Sequence, residues 1–444
     1  MPILPGVFAS SKRTTVAATY FLGTLATTTS DLGLAIGSDS SNNTYFFDYV
    51  FVSPNYGLGL SKYNSAGTLQ WSRKLGGNAS TANVTYSYQG GAADSSGNVY
   101  VVGSSGGTSK FGILAKYNTS GTIQWQRQIT NPGGSTLNIN FAGVTADASG
   151  NVYISGQFYV SASNYSTAVS KYNSSGTIQW NTILPYAVSN NYTALVAVDG
   201  SGNVYVLSNA ASTSIYLVKL NSSGVIQWQT SIVAGGGSIL AYGLAADSSG
   251  NVYVTGYQSL APQATFVQKY NTSGTLQWQR QLSGAGTTYN VIGYGISVDS
   301  SGNVYVSCQT SPSSGAYSNT AFIKYNSSGT LQWQRQLTNS TSTVTATIYG
   351  SSLDASGNLL FAGTSAANAT STGFFGKLPA DGTKTGTYSL NGASYVYSAG
   401  TLTDAAASYT NTTTAITATS NGVTDAAGAL TDAAMTLTSN VTVI

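Results

Sequence analysis

The sequence contains no histidine and no glutamate, so all 13 acidic residues are aspartate. The absence of histidine excludes a catalytic triad in which histidine is the general base, and it removes a common zinc ligand. Acid–base chemistry would rest on Asp, Lys or Tyr. No Gly-Lys-Ser/Thr phosphate-binding loop is present either. The sequence therefore predicts a protein that is not an enzyme and that holds no cofactor and no metal.

Charge is also scarce, since only 7% of the residues are charged where ordinary globular proteins carry about 25%. The few Lys and Arg residues are scattered, which predicts no nucleic-acid partner. No apolar run reaches the ~18 residues of a membrane-spanning helix, so no membrane insertion is expected. The single cysteine, Cys308, excludes an internal disulfide. Its setting in "VYVSCQT" is typical of a strand with a small buried side chain.

The residues that are abundant point to one fold class. The chain has 51 Gly and 31 Tyr, with many Ser, Thr, Asn and Val. Aromatic and β-branched residues favour strands, and Gly, Asn and Ser favour tight turns. These proportions predict an all-β protein with many turns.

Two short motifs recur along the chain at intervals of 48 to 55 residues. The octapeptide "DSSGNVYV" begins at Asp94, Asp247 and Asp299. Its aspartate recurs as Asp39, Asp94, Asp147, Asp199, Asp247, Asp299 and Asp354. The lysine of the second motif recurs as Lys62, Lys116, Lys171, Lys219, Lys269, Lys324 and Lys377. Nine positions later comes Trp71, Trp125, Trp180, Trp228, Trp278 or Trp333, and Gly386 in the seventh copy.

Each repeat contains four strand-like runs separated by turn sequences. Four short strands per unit at this period are the signature of a propeller blade. We therefore predict a seven-bladed β-propeller of four-stranded antiparallel blades over residues 30–390. The recurrent aspartate is interpreted as a turn residue that accepts backbone hydrogen bonds. Calcium binding is the alternative, but one carboxylate per turn falls short of a usual calcium site.

Two resemblances support this prediction. "DSSGNVYVTGYQ" followed by "KYNTSGTLQWQRQ" resembles the bacterial β-propeller repeat family called SBBP, over roughly residues 30 to 390. Members of that family serve as surface and binding modules, which implies the same fold and a role of that kind here. The opening "MPILPGVFASS" resembles the starts of virion structural proteins of tailed marine bacteriophages.

The two ends of the chain differ from the repeats. Residues 1–29 are predicted to be either an arm that docks elsewhere or a strand that completes the blade without tryptophan. Residues 391–444 are rich in Ala and Thr and are interpreted as a small β module or an assembly segment, with helical structure as an alternative. The basic residues of the N-terminus follow its apolar stretch, unlike a secretory signal. We therefore expect synthesis in a host cytoplasm and a place in a virion, or else an extracellular, cell-surface location.

The spacing of the motifs predicts which face of the propeller carries the loops of variable length. The distances from Asp to Tyr and from Lys to Trp are constant, whereas the distance from Asp to Lys varies between 20 and 25 residues. The constant turns therefore lie on one face and the variable loops on the other, and such loops often form the binding surface. Tyrosine with Ser, Gly and Asn suits recognition. The candidate ligand-binding residues are Tyr159, Tyr165, Tyr186, Tyr192, Tyr257 and Tyr317.

These observations predict a structural or binding protein, with two main interpretations left open and, as a third, an envelope-associated scaffold that would need an export route. The first is a bacteriophage virion component of the tail or particle surface, whose loops mediate assembly or host attachment. Its partners would be other virion proteins or copies of itself, together with host-surface glycans. The alternative is a carbohydrate-binding, lectin-like propeller on a bacterial cell surface.

Overall fold

The computed structural model of the protein describes 20–26, 32–52, 55–76, 84–85, 90–105, 111–130, 139–161, 164–188, 194–211, 213–284, 289–315, 317–339, 345–367, 370–390, 393–407, 410–413, 424–427, 431–434 and 438–443. Throughout these residues the regular structure is β-strand, and it forms seven antiparallel sheets. The predicted seven-bladed propeller is thereby confirmed. No helix in this part of the chain is long and apolar enough to cross a membrane.

Blades 1 to 7 are numbered in chain order. All of them except blades 2 and 7 are meanders of four consecutive strands. Blade 1 contains β2 (Leu32–Ser38), β3 (Thr44–Val52), β4 (Asn55–Tyr63) and β5 (Leu69–Gly76). Blade 2 contains β6 (Val84–Thr85) and β7 (Gly91–Ala93), which both pair with β8 (Val99–Ser105), then β9 (Gly112–Tyr117) and β10 (Ile123–Thr130). Blade 3 contains β11 (Ile139–Ala146), β12 (Val152–Ser161), β13 (Asn164–Tyr172) and β14 (Ile178–Val188).

The remaining blades follow the same pattern. Blade 4 contains β15 (Ala194–Val198), β16 (Val204–Ala211), β17 (Ser214–Leu220) and β18 (Ile226–Val233). Blade 5 contains β19 (Ile239–Ala246), β20 (Val252–Gln258), β21 (Ala264–Tyr270) and β22 (Leu276–Ser283). Blade 6 contains β23 (Tyr289–Val298), β24 (Val304–Pro312), β25 (Asn319–Tyr325) and β26 (Leu331–Asn339). Blade 7 contains β27 (Thr345–Leu353), β28 (Leu359–Ala367) and β29 (Thr370–Leu378).

The N-terminal strand β1 (Phe21–Ala26) is the fourth strand of blade 7. Phe21 lies opposite Lys377, just as Trp71 lies opposite Lys62 in blade 1. Phe21 is fully buried, and its ring meets that of Phe375 edge to face at 5.9 Å between centroids. An aromatic residue from the start of the chain thus occupies the position at which the seventh repeat lacks tryptophan.

The C-terminal residues also form strands, and most of these add to the outer edges of blades. They are β30 (Gly386–Leu390), β31 (Ala393–Ala399), β32 (Thr403–Ala406), β33 (Thr410–Thr413), β34 (Thr424–Ala427), β35 (Thr431–Ala434) and β36 (Thr438–Val443). The Thr-Asp-Ala-Ala segments are strands β32, β34 and β35. Several blades therefore have a fifth strand that the repeat pattern did not predict.

The core lies between neighbouring blades, where apolar side chains of two sheets interdigitate. The cluster between blades 5 and 6, for example, contains Tyr253, Ile296 and Tyr325. Cys308 belongs to the same cluster and is fully buried. Burial raises the pKa of its thiol to about 12, so this cysteine is a packing residue with little thiolate at neutral pH.

Candidate functional site

The constant turns of the propeller are organised by the recurrent aspartate. In blade 2, Oδ1 of Asp94 accepts hydrogen bonds from the backbone N–H groups of Ser96 and Asn98 at 3.0 and 2.9 Å. Its Oδ2 accepts from Asn98 Nδ2 at 2.8 Å and from the Tyr100 hydroxyl at 3.1 Å. Gly97 completes the turn with a φ of 81°, which glycine adopts without steric cost. Both carboxylate oxygens are thus engaged within the turn.

The recurrent tryptophan and lysine connect each blade to the next. Trp125 of blade 2 donates from Nε1 to the carbonyl oxygen of Ser174 in blade 3 at 3.1 Å. Lys116 lies over the Tyr100 ring, 5.5 Å from its centroid, and also donates to the Ser174 carbonyl. Equivalent tryptophan bonds join every consecutive pair of blades from 1 to 7. These side chains therefore hold the ring together, as their repetition suggests.

A cavity of about 500 Å³ lies on the face that carries the constant turns, between blades 3, 4 and 5. Asp147, Asp199 and Asp247 line it. All three carboxylates accept hydrogen bonds within their own turns. Among the described residues, no three His, Cys, Asp or Glu side chains lie close enough together to hold a metal ion.

A second feature lies along the inner strands of blades 5, 6 and 7, where tyrosines form a continuous strip. The Tyr257 ring stacks on Tyr242 with centroids 5.9 Å apart and 16° between planes. Tyr242 stacks in turn on Tyr294 at 5.1 Å and 21°. Tyr294 meets Tyr349 edge to face at 5.5 Å. All four side chains are half-buried. We call these four residues the tyrosine rail.

The backbone explains why three of these rings lie at the same position in consecutive blades. The first strands of neighbouring blades contact one another and so surround the axis. The register of β19, β23 and β27 shifts at Tyr242, Tyr294 and Tyr349, so each is the extra residue of a β-bulge. A bulge re-aims the extra side chain away from the regular ladder. The rail is therefore produced by three equivalent irregularities in consecutive blades.

The residue after each bulged tyrosine is a glycine, because the inner strands approach closely there. A Cβ atom on Gly295 would lie 2.3 Å from Ser351 Oγ of blade 7. A Cβ atom on Gly350 would lie 2.9 Å from the Leu34 carbonyl oxygen of blade 1. The Tyr-Gly pair thus combines a ring of the rail with tight packing of adjacent blades.

A pair of tyrosines lies on the variable-loop face of blade 6. The hydroxyl oxygens of Tyr289 and Tyr317 are 2.9 Å apart. This hydrogen bond, together with partial burial, raises the pKa of Tyr317. Tyr289 begins β23, the strand that also carries Tyr294 of the rail. The pair therefore extends the set of tyrosines on blade 6 towards the variable loops.

The structure brings some of the predicted ligand-binding residues together and separates others. Tyr257 belongs to the rail, and Tyr317 forms the pair with Tyr289. Tyr165 is only 8% exposed and packs with Ala210 and Tyr216, so its ring belongs to a small core cluster. Their role as ligand contacts stays a prediction, as does that of the other three. Of these, Tyr159 lies in β12 and Tyr186 in β14, while Tyr192 lies outside the described residues.

The sequence interpretation missed Tyr242, Tyr294 and Tyr349. It treated tyrosines in strands as general β-formers and searched for binding residues only in the variable loops. A usable signal was present, because a Tyr-Gly pair follows at the same place in the first strand of three consecutive repeats.

Comparison with known proteins supports the repeat assignment. The beta-propeller repeat family SBBP matches residues 227–257 and 277–311. No curated protein matches the sequence significantly. The resemblance of the N-terminal residues to virion proteins stays a prediction.

Solved structures are similar to this chain at the level of the fold. One is a glucose dehydrogenase, at 11% identity and a TM-score of 0.37, with 61% of this chain and 93% of that chain covered. Another is an ulvan lyase of a polysaccharide lyase family, at 11% identity and a TM-score of 0.48, with 80% of this chain and 96% of that chain covered. A third is a subtype N10 neuraminidase-like protein of the strain A/little yellow-shouldered bat/Guatemala/060/2010, at 11% identity and a TM-score of 0.43. The match covers 81% of this chain and 97% of that chain.

These structures correct one prediction. The sequence predicted that the protein is not an enzyme, but a glucose dehydrogenase and a polysaccharide lyase are among the solved structures similar to it. The prediction was based on the side chains that recur in every repeat. Catalytic groups commonly lie on irregular loops, and the recurrent residues give no information about those loops. The likeness concerns the fold alone, and we transfer no reaction from it.

Proposed function

We propose that this protein is a binding component of a bacteriophage particle, of the tail or particle surface, that attaches to host-surface glycans through the tyrosine rail. The propeller fold supports a binding or structural role. The observation that carries the proposal is the strip of four contacting tyrosine rings in blades 5 to 7. The phage assignment rests on the resemblance of the N-terminal sequence.

The chemistry of the rail suits a carbohydrate chain. Tyr242 stacks on both Tyr257 and Tyr294, so these rings use their faces on one another. A sugar chain would meet ring edges and hydroxyls, which suit its C–H groups and its hydroxyls. Neutral hydroxyls and few charges favour an uncharged or weakly charged polymer over nucleic acid. The rings follow one another at 5.1 to 5.9 Å between centroids, which favours a linear chain over a single compact ligand.

Glycan-array binding with matched variants tests the proposal. Tyr294→Ala interrupts the rail at its centre, and we expect binding weaker by ~2- to 10-fold, since an aromatic contact contributes about 0.5–1.5 kcal/mol beyond its buried area. Tyr294→Phe keeps the ring and should retain most of the affinity. Tyr56→Ala is the control, because Tyr56 is a 37% exposed tyrosine of blade 1 outside the rail. Equal affinity of wild type and Tyr294→Ala would contradict a role for the rail.

The lectin-like, cell-surface alternative uses the same rail and differs in location. Antibody labelling of purified phage particles in electron microscopy separates the two. Labelled tails or capsids support the virion assignment, whereas labelling confined to the bacterial envelope supports the alternative.

A further inference from the structure

The C-terminal strands add to the outer edges of the blades one after another. β31 pairs with β26 of blade 6, β32 with β22 of blade 5, β33 with β18 of blade 4, β34 with β10 of blade 2, β35 with β5 of blade 1 and β36 with β1 of blade 7. Every pairing is antiparallel. The strands therefore pass around the ring in the direction opposite to the blade order, and we call β31 to β36 the belt.

The sequence of the belt has a period of seven residues. Strands β32 to β36 begin at Thr403, Thr410, Thr424, Thr431 and Thr438, which are spaced by seven or fourteen residues. The residue before each threonine is Leu402, Tyr409, Val423, Leu430 or Leu437. Ile416-Thr417 keeps the period in the sequence and lies outside the described residues. Counted from Tyr395-Val396, there are seven heptads for seven blades.

The pairing register stays constant from blade to blade. In blades 5, 4, 2 and 1 the heptad threonine lies opposite the residue five positions after the blade's tryptophan, in the pairs Thr403–Ser283, Thr410–Val233, Thr424–Thr130 and Thr431–Gly76. Val396 lies opposite the equivalent residue of blade 6. One heptad thus advances the chain by one blade without a change of register, except across the interval of fourteen residues between β33 and β34.

Side chains fasten the belt where it crosses between blades 6 and 5. The amide of Gln334 in blade 6 donates to the Leu402 carbonyl at 2.9 Å and accepts from the Leu402 N–H at 2.8 Å. The Leu402 side chain packs against the core cluster between these two blades. Asp404 forms an ion pair with Arg280 of blade 5 and accepts a hydrogen bond from Tyr325 of blade 6 at 3.0 Å.

The preceding heptad makes the same kind of contact one blade earlier. Tyr395 is 1% exposed in the cluster between blades 6 and 7. Its hydroxyl oxygen lies 2.6 Å from Ser365 Oγ of blade 7. The apolar position of the heptad therefore enters the seam between two blades at both places where its side chain is described.

Both ends of the chain meet in blade 7. β1 pairs with β29 on one side and with β36 on the other. The strand that completes the ring is thereby held between the last repeat and the end of the belt.

We infer that the belt is an internal clasp in which each heptad is dedicated to one blade and holds that blade against its neighbour. An outer strand without a partner leaves backbone N–H and C=O groups free to pair with another chain. The belt satisfies those groups from within the molecule, and separating two blades requires its removal from their seam. The partner of these edges is therefore the C-terminal segment of the same chain.

Cysteine cross-linking in the full-length protein tests the register. Gln281 lies opposite Ala405 in blade 5, and Gln128 lies opposite Ala426 in blade 2. The variants Gln281→Cys with Ala405→Cys and Gln128→Cys with Ala426→Cys should each form a disulfide within one molecule under mild oxidation. The mismatched control, Gln128→Cys with Ala405→Cys, should not. Native Cys308 is retained because it is fully buried.

Two outcomes would overturn the inference. If the mismatched pair cross-links as fast as the matched pairs, the heptads have no fixed blade. If matched pairs cross-link mainly between two molecules, the belt belongs to a second copy of the chain.

The clasp itself is tested by unfolding rates of the Gln281→Cys, Ala405→Cys variant in guanidinium chloride. A belt that must leave before the blades separate predicts unfolding at least ~10-fold slower in the oxidised form than in the reduced form. The reduced protein is a control of identical sequence. Equal unfolding rates would show that the blades separate without release of the belt and would contradict the clasp.

Discussion

In six blades a tyrosine hydroxyl bonds to the recurrent aspartate while the recurrent lysine lies over the tyrosine ring. Blade 7 has Leu360 at that position. There Lys377 Nζ lies 2.7 Å from Asp354 Oδ2, and their side chains are only 3% and 0% exposed. With leucine in place of tyrosine, the lysine and the aspartate of blade 7 therefore meet directly as a buried ion pair.

Replacement of Lys377 by methionine tests this difference. It leaves the Asp354 carboxylate buried without its cation, which typically costs about 3–5 kcal/mol in the free energy of unfolding. Lys377→Met with Asp354→Asn should recover much of that loss, because the buried charge is removed as well. The measurement is unfolding in guanidinium chloride at pH 7. Lys116→Met in blade 2 is the matched control and should cost less, and equal losses in the two blades would contradict the argument.

At the scale of elements, ring closure depends on a strand that precedes the first repeat. β1 supplies Phe21 at the register position of the missing tryptophan. The strand is also covered on its other edge by β36, so it is an interior strand of its sheet. Its aromatic side chain is consequently surrounded by packed residues, as a core residue would be.

Phe21→Ala should therefore destabilise the protein strongly although it lies close to the start of the chain. Removal of a fully buried phenylalanine typically costs about 3–5 kcal/mol. Thermal unfolding followed by circular dichroism gives the change in Tm. Phe111→Ala, at a half-buried phenylalanine of blade 2, is the control and should lower Tm less. A Tm unchanged by Phe21→Ala would mean that β1 does not contribute to ring closure in solution.

The elements that the sequence predicted are those encoded locally. Each blade follows from alternating strands and from Ser-Gly-Asn turns whose signals lie within about 50 residues. The pairing of β1 with β29 joins residues more than 340 positions apart and has no local signal. The belt was overlooked because four of its six strands have only four residues and are too short for an alternation pattern. The rail was overlooked because its Tyr-Gly signal lies inside strands, and the bulge that gives the signal its meaning arises from packing between inner strands.

At the scale of the whole molecule, repetition makes equivalent groups respond together. Tyr45, Tyr100, Tyr153, Tyr205, Tyr253 and Tyr305 occupy the same position in six blades and bond to an aspartate. Burial first, and the neighbouring aspartate second, raise the pKa of each of these phenols above its ordinary value. The folded state therefore retains six protons that the unfolded chain releases near pH 10.

This retention predicts cooperative loss of stability at high pH. Because the folded-state pKa values are raised, the contribution of these tyrosines is complete below about pH 10 and is lost as pH rises towards their folded-state pKa values. Tm should fall progressively above about pH 10, with tyrosinate absorbance of the six phenols appearing only on unfolding. Tyr100→Phe should reduce the pH dependence by about one proton. Titration of the six phenols near pH 10, while the circular dichroism of the protein stays unchanged, would contradict this prediction. It would mean that solvent reaches the hydroxyls and that the phenols are not buried between the blades in solution.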